Sequence, residues 1–454
     1  MRATLRGWWR AAAVYRHPRV AAMLFLGFSA GLPFLLVFST LSAWLRDQGV
    51  ERSTIGFFGW VGIMFSIKVL WAPIVDRLPL PLLTRALGKR RSWMLVAQIG
   101  IAVGVIAMAA TDPVAELPRL ALLAVFVAFA SATQDVAIDA WRVEAVEIER
   151  QGAMAASYIF GYRLALLVAG AGAFYIADFS SWAMAYRIMA MLMLVGIVTT
   201  LLVAEPEHHV SEATREMEQR MADGIVRFAH LPGPLQRAAA WFSSAVAAPF
   251  LEFFHRNGRA ALLILALVGL YKVSDLIMGI MANPFYIDLG FTKSEIATVA
   301  KVFGFGMTIT GTVVGGVLVA RIGLMRSLLT GAVMVATTNL LFMVLARIGP
   351  DLWMLAVTIS ADNLSVGVSS VALIAYLSSL TNRAYTATQY ALFSSLMTLP
   401  GQFIGGFSGV VVDALGYANF FVYAASAGVP AILLVLYLMR HPSLGTETPT
   451  TPTR

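Results

Sequence analysis

The chain of 454 residues contains no cysteine, which excludes disulfides, thiolate metal sites and cysteine nucleophiles. Charge is scarce: Asp, Glu, Lys and Arg make up 13% of the residues, against about a quarter in globular proteins. Histidine is confined to His17, His208, His209, His230, His255 and His441, all in terminal or central segments outside the long apolar runs. A membrane enzyme is therefore short of a catalytic histidine or a His-rich metal cluster, and no cofactor is implied. No segment between apolar runs is long enough to form a receptor domain, which argues against a sensor or scaffold. What the chain has in excess is hydrophobic residues, at 59%. A hydrocarbon core of about 30 Å takes roughly 20 apolar residues per helix. Twelve such stretches can be drawn, so the expected fold class is an all-α membrane protein. The net charge of +8 would suggest nucleic acid for a soluble chain, but nearly all basic residues fall between the apolar runs, and no nucleic-acid partner is expected.

The expected spans cover residues 20–42, 54–72, 92–110, 118–139, 154–177 and 182–203, then 259–281, 296–319, 325–346, 352–377, 386–411 and 418–438. The first follows Arg2, Arg6, Arg10, Arg16 and Arg19, and its apolar run is too long for a signal-peptide core, so it reads as an uncleaved span. The amino terminus, the even-numbered loops and the tail hold 23 of the 33 Lys and Arg residues. The odd-numbered loops hold six: Arg46, Arg52, Arg119, Arg187, Lys293 and Arg347. By the positive-inside rule both termini are expected in the cytoplasm. Lys68, Arg163, Lys272 and Lys301 fall inside spans, where a charge costs at least about 2.5 to 3.5 kcal/mol at mid-depth and needs a partner or water.

The apolar pattern stops between Glu205 and Gly258, dividing the spans six and six. The expected organisation is a first bundle over 1–204, a cytoplasmic linker over 205–258, a second bundle over 259–440 and a disordered cytoplasmic tail over 441–454. Within the linker a charged segment, Ser211 to Arg227, precedes Pro232-Gly233-Pro234, and Leu235 to Phe254 has the spacing of an interfacial helix. The halves repeat one another. Asp47, Gly49, Ser53 and Ile55 match Asp288, Gly290, Ser294 and Ile296 at an offset of 241. Val75-Asp76-Arg77 against Val319-Ala320-Arg321 follows at 244, and Asp178 with Trp182 against Asp413 with Tyr417 at 235. A parallel repeat of six plus six spans around a basic central loop is the plan of the major facilitator superfamily, whose substrate site lies between the halves near the midplane.

The loop after span two, with Asp76-Arg77 and then Gly88-Lys89-Arg90-Arg91, resembles the loop signature of that superfamily stretched by prolines and leucines. Its expected role is a gating latch. The cations Arg77, Arg90 and Arg91 would meet an acidic group or a helix C-terminus in one state and lose it in the other. A closer likeness rests on three stretches of the first half: Gly27-Phe28-Ser29-Ala30-Gly31-Leu32-Pro33, Lys68-Val69-Leu70-Trp71-Ala72-Pro73 and Ser131 to Ala140. It continues in Tyr271-Lys272 with Asp275, Lys301 with Gly304, and Ala387 to Leu392. Over most of both halves the chain resembles the AmpG-type muropeptide permeases. The resemblance implies a monomeric permease of the bacterial inner membrane. Its cargo would be N-acetylglucosaminyl-1,6-anhydro-N-acetylmuramyl peptides, imported with protons for peptidoglycan recycling. Related sequences include an acetyl-coenzyme A transporter group, so a proton-coupled porter for another sugar, nucleotide or drug is the alternative.

Polar residues inside the spans supply the candidate site. Asp135 and Asp139 lie four apart on one helix face, and Lys68 falls at similar depth in span two. Burial and a neighbouring ammonium act oppositely on a carboxylate's hold on a proton, so a Lys68 pair with one carboxylate would leave the other free to titrate. Lys272, Asp275 and Lys301 form a second expected proton-coupling group in spans seven and eight. Arg163, near the middle of span five, cannot lose its proton and is the candidate ligand for a substrate carboxylate; pairing with Asp362 or Asp135 is the structural alternative. Trp71, Gln134, Tyr162, Asn363, Gln389, Tyr390 and Gln402, with Asp362, supply the aromatic faces and polar groups of a sugar-peptide site, and Asn283 is a further amide. Gly31-Leu32-Pro33 and Leu399-Pro400-Gly401 are expected to bend spans one and eleven.

Overall fold

The computed structural model describes residues 16–146, 148–206, 260–380 and 386–441, with short pieces at 233, 253–255 and 257–258. Every regular element among the described residues is helical. The charged segment expected in the linker, the expected interfacial helix apart from Phe253 and Phe254 at its end, and the tail beyond His441 lie outside the described residues.

Among the described residues ten helices are long and apolar enough to cross a membrane. In the first half these are span one (Pro18–Asp47), span three (Lys89–Ala109), span four (Leu117–Arg142), span five (Ala156–Phe179) and span six (Trp182–Leu202). The second half contributes span seven (Ala260–Leu289), span eight (Lys293–Ile322), span nine (Leu324–Ile348), span ten (Leu352–Leu377) and the stretch Ser408–Arg440. The expected span eleven corresponds to the helix Thr386–Gly405. The expected span two is a chain of short pieces: Arg52–Phe58, Gly59–Gly62, Ile63–Ser66, Lys68–Leu70 and Ala72–Arg77. Glycines at 56, 59 and 62 weaken the helix here, and two of the pieces tighten to 3₁₀ geometry. Within Ser408–Ala427 the backbone leaves helical geometry at Gly416, with φ 74° and ψ 165°, values a side chain would disfavour. Chain direction changes there.

The bend expected at Pro33 falls elsewhere. Pro33 stays inside a continuous helix, and span one breaks at Phe38 (φ −120°, ψ −104°). Proline has no N–H, which deprives the carbonyl four residues back of its helical partner. That carbonyl, on Ser29, instead accepts from Gln134 Nε2 at 3.1 Å, and the Ser29 hydroxyl donates to Gln134 Oε1 at 2.9 Å. Pro400 likewise sits inside a continuous helix.

Spans one and five touch backbone to backbone through Gly27, Gly31 and Gly161, the small-residue packing that membrane helices favour. A Cβ on Gly161 would lie 1.9 Å from the Leu24 carbonyl oxygen, and one on Gly27 2.2 Å from that of Tyr158. Gly161→Ala is therefore expected to force the two helices apart at a cost of about 1 to 3 kcal/mol or more. Thermal melting of the detergent-purified protein checks this, with Gly279→Ala as the control because its added Cβ meets nothing within 4 Å. Equal melting of the two variants would contradict the packing described.

Among the described residues the buried apolar side chains form three clusters. One is shared by both halves and includes Leu41, Trp44, Val127 and Phe174 together with Ile277, Phe285, Ile296 and Phe421. The other two each belong to a single half: Val20, Met23, Trp141 and Met154 in the first, and Leu267, Leu328, Tyr376 and Val435 in the second. Among the described residues the halves thus share a core near Arg46 and pack separately near Arg90.

Candidate functional site

The first polar group lies where span two breaks. Lys68 opens the 3₁₀ piece Lys68–Leu70, and its Nζ stands 3.7 Å from Asp135 Oδ2 on span four. The second oxygen of Asp135, Oδ1, is buried and has no hydrogen-bond partner among the described residues. Asp139, one turn on, meets Arg142 of the same helix at 3.3 Å and is half-exposed. The arrangement therefore joins Lys68 to Asp135 and gives Asp139 a partner of its own. A buried carboxylate oxygen without a donor is costly while ionised, and a proton or a moving donor would satisfy it.

The second half carries a matching group. Span seven breaks at Lys272, whose Nζ donates to Asp275 Oδ2 at 2.7 Å and to Ser370 Oγ at 3.1 Å. Asp362 on span ten is 8% exposed, and its Oδ1 also lacks a partner among the described residues. Lys301 pairs with neither Asp275 nor Asp362. It donates to Asn283 Oδ1 at 2.9 Å, and the Asn283 amide donates across the halves to the Ser39 carbonyl. The Lys301 ammonium stands 5.4 Å from the centre of the Phe174 ring in the first half.

Between the halves lies a cavity of about 240 Å³ whose lining includes Phe34, Phe38, Ser39, Asp275, Ile280 and Gln402. Gln402 accepts from Ser66 of the first half at 3.1 Å. Tyr162 packs 6.5 Å from Phe34, ring centre to ring centre. Other expected ligands tie helices together instead. Gln134 caps the carbonyl freed by Pro33, Trp71 donates to Thr133 at 3.1 Å, and Asn363 accepts from Thr308 at 2.8 Å. Arg163 is exposed and makes no ion pair with Asp135 or Asp362. The side chains of Gln389 and Tyr390 lie outside the described residues.

At the Arg90 end, the expected latch residues are held within one half. Arg90 meets Glu144, just past span four on the same helix, at 2.6 Å, and Arg91 donates to the carbonyls of Thr200 and Leu201, the C-terminal end of span six. The carboxylate of Glu205 accepts the backbone N–H groups of Arg90 and Arg91 at 2.8 and 3.1 Å, at the N-terminus of span three where an anion is favoured. The side chains of Asp76 and Arg77 lie outside the described residues. At the opposite end ion pairs join the halves directly: Arg46 and Arg52 reach Asp288, and Lys293 reaches Asp47. No site role for these residues is legible in the sequence, although Asp47 and Asp288 mark the repeat.

Two helical bundles joined at one end, packed separately at the other among the described residues and carrying charged groups within their spans define a multi-pass membrane transporter rather than an enzyme. The family model of the Major Facilitator Superfamily matches residues 23–280. Over 425 residues the chain is 35% identical to the anhydromuropeptide permease of Escherichia coli K12, covering 93% of this chain and 80% of that one. Over 431 residues it is 31% identical to the putative transporter AmpG 4 of Rickettsia conorii, covering 94% and 98%. Among solved structures, the nucleoside transporter NupG superposes with a TM-score of 0.68 at 14% identity, covering 92% of this chain and 99% of that one. An inward-facing bacterial homologue of the lysosomal transporter Spinster gives 0.68 at 12% identity, covering 96% and 99%; both likenesses concern the fold alone. The chain belongs to the AmpG-type muropeptide permease family of the major facilitator superfamily.

Proposed function

We propose that this protein imports anhydromuropeptides across the bacterial inner membrane, from periplasm to cytoplasm, in symport with protons. The observation that carries the cargo is the 35% identity, over 93% of the chain, to a protein named as an anhydromuropeptide permease. Both termini face the cytoplasm in this reading, because cations concentrate in the loops on that side. The Arg46 end then faces the periplasm, and the bundles, joined there, are in the inward-open arrangement.

The paired groups Lys68–Asp135 and Lys272–Asp275 suit proton coupling, with Asp139, Asp362 and Lys301 nearby in sequence or fold. Asp135 is the preferred titrating group because it combines a buried oxygen without a donor, a feature it shares with Asp362, with an ion pair to Lys68. Arg163 supplies an obligatory cation for the acidic part of the ligand, and Tyr162 and Gln402 an aromatic face and an amide. A cavity of 240 Å³ holds only part of a disaccharide peptide, so the rest of the ligand extends toward the open end. Arg90 and Arg91 keep spans three, four and six registered at the cytoplasmic end. In this reading the permease works as a monomer, since each chain carries both halves of the site.

Uptake of a radiolabelled disaccharide-peptide fragment into proteoliposomes tests the proposal. An inward-directed proton gradient should drive accumulation that collapses with a protonophore. Accumulation of a nucleotide or another sugar, with no uptake of the fragment, would replace the cargo and keep the transport mechanism.

A further inference from the structure

The contacts that close the Arg46 end occur twice, and they use the residues that mark the internal repeat. Arg52 and Lys293 share the offset of 241 with Asp47 and Asp288, and both are basic. Arg52 of the first half meets Asp288 of the second at 2.7 Å, and Lys293 of the second meets Asp47 of the first at 3.1 Å. Each carboxylate is held from behind by an aromatic of its own half. Tyr417 donates to Asp288 at 2.6 Å and Trp182 to Asp47 at 2.8 Å. Each cation also lies over that aromatic: Arg52 is 5.2 Å from the centre of the Tyr417 ring and Lys293 5.9 Å from that of Trp182. The second matched pair behaves alike. The Ser53 N–H donates to Asp413 at 3.0 Å, and the Ser294 hydroxyl donates to Asp178.

We propose that these residues are the outer gate: one clamp of cation, carboxylate and aromatic, built once in each half and exchanged between them. Opening it admits the ligand. The inference rests on the orientation proposed above. It also explains why sequence likeness between the halves survives at the ends of the spans, since each half must offer the cation that fits the other's carboxylate. The two arms are unequal. Arg46 brings a second guanidinium to Asp288 and is steadied by the Val50 carbonyl of its own half at 3.0 Å; the equivalent position in the second half is Ile287. The Asp288 side chain is 14% exposed and that of Asp47 25%. With more donors and less water, the Asp288 arm holds the gate more tightly.

The absence of cysteine makes the test direct. Ser42 lines the cavity below the clamp, and Ser42→Cys offers a thiol that an impermeant maleimide in the periplasmic solution reaches only through an open gate. In right-side-out vesicles, Asp288→Asn should raise its labelling rate about tenfold, the change given by a bias of about 1.4 kcal/mol toward the open state. Asp47→Asn should raise it less. Adding Arg52→Gln to Asp288→Asn should raise the rate by less than the product of the two single changes, because the Asp288 contact is already gone and Arg52 keeps only Tyr417 and Asp413, the latter at 3.4 Å, whereas combining Asp288→Asn with Asp47→Asn should multiply the two effects. Unchanged labelling in Asp288→Asn protein with a wild-type melting curve would overturn the gate. If Asp288→Asn does not fold, Lys293→Gln and Asp47→Asn test the other arm by the same rates. An increase confined to inside-out vesicles would support the clamp and overturn the orientation.

Discussion

Asp135→Asn is expected to abolish uphill uptake of the ligand while leaving equilibrium exchange measurable. One proton moving down a potential of about 100 mV releases about 2.3 kcal/mol. Each pH unit adds about 1.4 kcal/mol. With both, a neutral load accumulates several hundredfold, on the order of 500 at equilibrium. An amide in place of Asp135 keeps the shape of the side chain and removes the titration, so accumulation should fall to the level set by the load's own gradient. Asp139→Asn should do less, because Asp139 is half-exposed and already meets Arg142 on its own helix. Counterflow and gradient-driven uptake in proteoliposomes separate the two activities. Full accumulation by Asp135→Asn protein would move the coupling to the second half, where Asp275 and Asp362 are the candidates.

Arg163→Ala is expected to weaken binding of the acidic ligand by about tenfold or more, and Arg163→Lys by an intermediate amount, with little change in melting temperature. Hydrogen bonds to charged groups contribute about 1.5 to 3 kcal/mol, and a planar guanidinium can hold a carboxylate with two of them where an ammonium cannot. The side chain is exposed and has no ion pair with Asp135 or Asp362, so its removal leaves no carboxylate of those two stranded. Calorimetric titration with the free-acid ligand and with its methyl ester gives the contrast. The ester should bind the wild type and the variant alike. Loss of folded protein in both variants would make Arg163 a structural residue, and an unchanged affinity would pass the role to Lys301, which is held by Asn283 rather than by a carboxylate.

Much of the architecture is legible in the sequence because the bilayer imposes length and apolarity on each span. Ten of the expected spans meet long helices, and depth with helical spacing narrows the partner of Lys68 to Asp135 or Asp139 and that of Asp275 to Lys272 or Lys301, between which helix docking selects Asp135 and Lys272. Depth is a one-dimensional quantity, however, and the direction a side chain faces depends on which helix packs beside it. Gln134 and Asn363 sit at suitable depths for ligands, yet span one draws Gln134 to the Ser29 carbonyl and span eight draws Asn363 to Thr308. The break in span one moves from Pro33 to Phe38 for a related reason, since a neighbouring amide supplies the partner the proline removes. For the clamp, the matched residues were visible, but the exchange of partners between halves is a property of three-dimensional docking. Self-similarity shows that two segments are alike and says nothing of whether each binds itself or the other.

The core shared by the two halves has a thermodynamic consequence for the transport cycle. Phe174 and Leu41 from one bundle and Phe285 and Ile296 from the other belong to one apolar cluster at the end where the halves join. Parting the bundles there wets hydrocarbon that is now dry, and hydrating apolar surface carries a positive heat-capacity change. The enthalpy separating the two access states then varies with temperature. Their balance traces a curve rather than a straight van 't Hoff line, and the preferred side of the membrane becomes a function of growth temperature.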